Sequence, residues 1–279
     1  DAALRQAARA AGVAIVYVHA LNPYGFSWWR RTTHENVDLN RNIQDFSQPL
    51  ARNAGYDEIA HLLVPTEWPP TPEVEEAAAA WMARHGLLAW QTAISAGQYH
   101  HPEGLFYGGH DPTWSHQAVR HMLQDHGQRC ARLGWIDFHT GLGPNGVGER
   151  IYAGRDEAAG VARARAWWDS GGATPLKSLD DGSSVSAALS GLMWPAIYDE
   201  CPQAEVTMMA MEFGTQDKMQ VLKALRGDHW LYQHPDAAPE LVASIKKTLR
   251  DAFYVDTPDW KEKIVSQGMQ AIHQGVNGL

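Results

Sequence analysis

The segment from Val13 to Asn42 constrains the fold more than any other. It begins Val13-Ala-Ile-Val-Tyr-Val-His19, an apolar run without a helical period, which predicts a strand buried on both faces of a parallel or mixed sheet. Asn22-Pro23-Tyr24-Gly25 then supplies turn chemistry that takes the chain off the carboxyl end of that strand, the end at which open α/β sheets bind ligands. Beyond the turn come Arg30, Arg31 and Arg41, set among Glu35, Asn36, Asp38, Asn40 and Asn42. Any one arginine is equally well explained by solvent or by pairing with Glu35, Asp38 or Asp45. Three guanidinium groups beyond one strand point instead to a site for an anionic group, because the planar fork matches a carboxylate or phosphate bidentately.

Asn22-Pro-Tyr-Gly-Phe26, Arg30-Arg31 and Asp38-Leu-Asn-Arg-Asn42 together resemble the zinc carboxypeptidase superfamily, which includes the succinylglutamate desuccinylase and aspartoacylase branch. Gly97-Gln-Tyr-His-His-Pro-Glu-Gly-Leu-Phe-Tyr-Gly-Gly109 is similar to a segment of a bacterial branch of unknown function within it. The resemblance runs from Val13 to at least Thr215 and implies a single α/β domain over residues 1–279, with a mixed, mostly parallel central sheet flanked by helices.

Two later residues join the arginines through the same resemblance. His139 ends the apolar stretch Gly134-Trp-Ile-Asp-Phe-His139, and taken alone a histidine there is more often a hydrogen-bonded structural group than a ligand. Its Asp-Phe-His-Thr-Gly context resembles the segment bearing the superfamily's last zinc ligand, which implies His139 as a ligand of Zn2+. Glu212 closes the apolar run Val206–Met211, so it must be paired, hydrogen-bonded or facing a cleft, or else favour the start of the helix after Thr215. Glu-Phe-Gly-Thr resembles the catalytic glutamate segment and implies Glu212 as general base. By the same resemblance Arg30, or its neighbour Arg31, stabilises the developing oxyanion. Asn40 and Arg41, with Arg31 beside them, grip the substrate carboxylate, and Tyr152 and Tyr198 both remain open for the tyrosine over the substrate.

The implied activity is zinc-dependent hydrolysis of an amide or peptide bond in a small peptide or N-acyl amino acid bearing a free carboxylate, either as a carboxypeptidase or as a deacylase. The alternative is a metal-free anion-binding module on the same fold, built on Arg30, Arg31 and Arg41. The superfamily draws its first two zinc ligands from a His-x-x-Glu loop upstream of the first strand. Within 1–279 that spacing occurs as His100 to Glu103, interrupted by Pro102. Catalytic zinc takes three protein ligands. The expectation is therefore that residues 1–279 bind zinc weakly or not at all, and that an upstream segment carrying the missing ligands and first strands restores the site.

A net charge of −9 gives no basic stripe for nucleic acid, and no apolar run reaches the length of a membrane span. Cys130 and Cys201 are too few for a disulfide framework and read as reduced thiols of a cytoplasmic protein. With 279 residues, 44% of them apolar, one large domain with an ordinary core is expected. The pattern predicts helices over 1–12, 73–96, 114–133, 155–169, 216–230, 239–254 and 259–274, strands over 134–139 (followed by a glycine-rich turn over 140–143) and 205–215, and loops over 97–113 and 170–190, the second long and mobile.

Overall fold

The computed structural model describes residues 1–155, 157–169, 174–178 and 189–279. Its helices are α1 (Ala2–Ala11), α2 (Pro23–Trp28), α3 (Ala54–Leu63), α4 (Pro72–His85), α5 (Leu87–Ser95), α6 (Trp114–His126), α7 (Ala158–Trp168), α8 (Pro195–Glu200), α9 (Lys218–Gln233), α10 (Pro239–Phe253) and α11 (Pro258–Gly278). The strands are β1 (Arg132–Asn145), β2 (Gly148–Tyr152), β3 (Leu176–Lys177) and β4 (Glu205–Gly214). They form one sheet in the order β1-β4-β2-β3, with β1 parallel to β4, β2 antiparallel to β4 and β3 parallel to β2. The chain is thus an α/β protein with a mixed sheet flanked by helices.

Alternation along β1 and β4 sorts their side chains onto two faces. Met209, Met211 and Phe213 pack with Trp168 and Ala271 of α7 and α11 on one side. Val206 and Met208, with Leu133 and Trp135, pack against α6 and α8 on the other. The same parity puts Asp137, His139 and Glu212 on this second face, at its carboxyl end. A separate cluster joins α3, α5, α9 and α10 around Tyr56, Ile59, Leu63 and Leu225.

The strand expected at Val13–His19 is absent. Gly12 ends α1 in the left-handed region at φ 67°, its N–H bonded to Ala8 O and Arg9 O, and the chain leaves without strand pairing. Val13 and Ile15 rest on Leu4, Ala8 and Val276, while Val16, Tyr17 and Val18 are 52, 66 and 50% exposed. Apolar composition favours a strand only where another strand supplies the ladder, and no described strand pairs with this run.

The helix expected over 73–96 is two helices. Gly86, at φ 88° and ψ 158°, breaks it, and α5 packs on α3. The helix from Trp114 stops at His126, well before Leu133, because the strand already begins at Arg132. Cys130 lies in the turn between them, and both cysteines are free thiols. The loop expected over 170–190 falls largely outside the described residues; residues 174–178 within it carry β3. Among the described residues no helix is long and apolar enough to cross a membrane.

Candidate functional site

Two strand ends and two loops converge. In the parallel ladder His139 of β1 stands opposite Glu212 of β4, and on the other side of β4 Glu149 of β2 stands opposite Glu212. The row continues to Lys177 of β3, whose Nζ lies 2.7 Å from Glu149 Oε1. Sequence reasoning missed Glu149 and Lys177, because the five-residue β2 is too short to show a period.

His139 Nε2 lies 2.9 Å from Asp137 Oδ2, two residues back on the same face, and the two side chains keep 28 and 27% exposure. Burial works to strip the proton from this imidazole. The Asp137 carboxylate, by charge and by hydrogen bond, outweighs it with help from Glu212 and holds the pKa up at about 9. Glu212 is half-buried and its Oε1 accepts the Leu142 N–H at 3.2 Å. Burial pushes its carboxyl above the usual range, against the pull of His139, the Leu142 amide and Arg31.

The arginines come from the segment after α2. Arg31 Nε donates to the buried Asp38 Oδ2 at 2.8 Å, and burial of the guanidinium is opposed by Asp38 and Glu212, which together raise its pKa. Arg31 is the arginine that Glu212 and His139 feel. Arg41 is 3% exposed; its Nε and Nη2 donate to Ser95 O and its Nη1 to Asn40 O. Burial lowers its pKa, Asp38 opposes that and Arg31 adds to it. Asp38, held below the usual carboxylate range by Arg31 and Arg41 against its own burial, is the counter-ion they share. Asn40 Oδ1 accepts the Met193 N–H at 2.9 Å.

Arg30 is placed differently from its neighbour. Its Nε donates to Asp228 Oδ2 at 2.8 Å and its Nη2 to Asn36 Oδ1 at 3.0 Å, while Lys246 reaches the same aspartate at 2.5 Å. Its Nη1 is buried without a partner among the described residues.

Loop 97–113 is zipped to this segment by backbone and amide bonds. Asn36 Nδ2 donates to Pro102 O and Gly104 O, Asp38 N to Tyr107 O, and Asn42 Nδ2 to Gly108 O and Asp111 O. Tyr99 Oη donates to Arg41 O at 2.8 Å, and Gly97, at φ 99°, passes where a Cβ would come within 2.7 Å of the Arg41 side chain. The buried parts of this loop find in these bonds partners for polar backbone that would otherwise be costly to bury.

Of the other candidates, Tyr152 is buried on the opposite sheet face, among Met209, Met211 and Phe213. Tyr198 lies on the His139 face, with Arg155 over its ring at 4.1 Å. His100 is exposed, and its N–H goes to Gln98 Oε1. A cleft of about 740 Å³ is lined by Phe46, His116, Arg120 and Asp199 and includes neither His139 nor Glu212.

β1 and β4 carry one histidine between them, His139. Among the described residues no three His, Cys, Asp or Glu side chains are arranged to hold a metal ion. One imidazole whose Nε2 already faces Asp137 does not fit the three-ligand requirement of catalytic zinc.

The family model described as "Protein of unknown function (DUF2817)" matches residues 1–267, and the chain belongs to that family. No curated protein and no solved structure matches it.

Proposed function

We propose that this member of the DUF2817 family hydrolyses an amide or peptide bond in a small peptide or N-acyl amino acid that bears a free carboxylate. One observation carries the reading: Glu212 and His139 stand side by side at the carboxyl ends of parallel strands, with Arg31 close enough to perturb both. The zinc carboxypeptidase resemblance supports the same placement and implies the fold of that superfamily.

In this reading Glu212 takes the proton from the attacking water and returns it to the leaving amine. Burial, by lifting its carboxyl, makes it a stronger base than a surface glutamate. Arg31 offers four terminal N–H donors with no acceptor among the described residues and faces the developing oxyanion or the substrate carboxylate. Arg41 keeps one N–H on each Nη beyond those given to Ser95 O and Asn40 O, and supports the carboxylate from behind. Arg30, tied to Asp228 and Asn36, takes a role at the oxyanion only through its unpartnered Nη1. Zn2+ is the cofactor that the resemblance implies. His139 would be its one ligand here, so the ion enters only if further ligands come from outside the described residues, and no step is routed through it.

The second reading, a metal-free anion-binding module, is favoured by the pairing of Arg31 and Arg41 around Asp38. Turnover separates the two, because a hydrolase consumes a free-carboxylate substrate that a binding module only holds, and metal analysis of residues 1–279 tests the ligand count. Stoichiometric zinc that disappears in His139→Ala would point to ligands not identified above, with His100 and Glu103 the first to examine. Replacement of Arg31 by Lys then tests the substrate class, since it keeps the charge but loses the fork. Hydrolysis of a free-carboxylate substrate should fall much further than that of its amidated analogue; equal losses would make Arg31 structural.

A further inference from the structure

The ring of Phe106 lies against two cations. The Arg31 guanidinium carbon is 5.1 Å from its centroid and that of Arg41 5.4 Å. Like charges do not gather on one ring unless something opposes their repulsion. Asp38 does so for charge, and the negative π face of Phe106 does so for position. The backbone holds the ring there at some cost: Phe106 sits at φ 53°, a conformation that a bulky residue rarely adopts. Its carbonyl accepts the Gln98 N–H at 3.2 Å, and Gln98, 1% exposed, pins the loop from below by donating to His101 O at 2.7 Å.

We propose that Phe106 is a positioning residue for carboxylate recognition, holding the Arg31 and Arg41 guanidinium groups against one aromatic ring so that their outer N–H groups meet a single carboxylate. The inference deepens the hydrolase reading and rests on its claim that these arginines take the substrate's carboxylate. It assigns loop 97–113 a binding role, with Phe106 reaching the substrate only through the two cations. Phe106 also packs against the cluster around Tyr56 and Leu105, so removal of the side chain does not by itself separate the two roles.

Fluorinated phenylalanines at position 106 separate them, because one, two or three ring fluorines nearly preserve shape while draining the π face. The probe is succinate, with neutral succinamide as control, titrated against the whole chain and followed by the Nε–Hε resonances of Arg31 and Arg41. The expected result is succinate binding that weakens stepwise with each fluorine and falls in Phe106→Leu by about threefold to thirtyfold, the range of cation–π attraction. Phe106→Tyr should stay close to the unmodified protein. Equal succinate affinity across the fluorine series, with normal binding by the unmodified chain, overturns the role of Phe106 and leaves the carboxylate site standing. No preference for succinate over succinamide in the unmodified chain overturns the carboxylate site and the inference with it. Should Phe106→Leu fail to fold, the fluorine series alone decides.

Discussion

Two neighbouring stretches of this chain reverse the usual relation between hydrophobicity and order. Val13–His19 is nearly all apolar, yet it is largely exposed, with only Val13 and Ile15 resting on helices. Residues 30–42 are rich in charge and amide groups, yet Arg30, Asn36, Asp38, Arg41 and Asn42 are buried. The difference lies in who satisfies the backbone and the polar heads. Loop 97–113 accepts from Asn36 and Asn42, receives Asp38 N–H on Tyr107 O, and lays Phe106 against two arginines. The apolar run has no ladder partner among the described strands. Burial follows partners first and composition second.

The largest expected effect comes from removing the counter-ion of the polar stretch. Asp38→Ala removes the 2.8 Å ion-pair partner of Arg31 and a negative charge that opposes the burial of Arg41, a loss of about 3–5 kcal/mol for a buried pair deprived of one partner. Urea unfolding measures it, and a change below about 1 kcal/mol would show that the platform is not held as described.

An effect that is smaller per pH unit comes from two buried histidines near the platform. His229 is 1% exposed and its neutral ring donates Nδ1–H to Leu225 O at 2.9 Å; burial, helped by Arg30 and opposed by Asp228 and Asp38, pulls its pKa from 6.5 to about 4. His116 receives the Arg120 Nε–H at 2.8 Å and is pulled to about 4 by burial and by Arg120, against Glu200 and Asp199. The unfolded chain therefore binds these protons near pH 6.5 and the folded chain only near 4. Their contribution to stability is fully present above about pH 6.5 and is lost as pH falls toward 4, by at most about 1.4 kcal/mol per pH unit for each. His229→Gln should flatten part of that slope in thermal melts taken across the window.

The smallest effect belongs to the apolar stretch. Val16→Asp places a charge on a side chain already 52% exposed and should change stability by no more than about 0.5 kcal/mol. A loss of several kcal/mol would mean that the run is paired after all, and the comparison between the two stretches would fail.

How much of this could be read from residues alone follows the same division. α1 with its glycine stop, β1, β4 and the three closing helices announce themselves through period and capping, whereas His139 and Glu212 stand out only through the resemblance of their segments to the zinc carboxypeptidases. The loop character of 97–113 was legible too, from its glycines and aromatics. What is invisible is anything that depends on a partner distant in sequence. The unpaired fate of Val13–His19, the break at Gly86, the register that sets Glu149 beside Glu212, and the tie between Arg30 and Asp228 all require the fold. Adjacent Arg30 and Arg31 look equivalent in the sequence, and only packing sends one toward Asp228 and the other toward Asp38 and Glu212.

The central claim is that Glu212 is the proton acceptor of an amide hydrolase. Glu212→Gln keeps the side-chain shape and its bond from Leu142 N–H while removing the base. The deciding measurement is turnover of N-acyl amino acids and short peptides with a free carboxylate, by the unmodified chain and by Glu212→Gln, in buffer with zinc. A fall in kcat of at least about 10²-fold, with an unchanged melting temperature, is the result expected of a lost general base. Retained turnover in a folded Glu212→Gln protein, or no hydrolysis of any such substrate by the unmodified chain, would contradict the account.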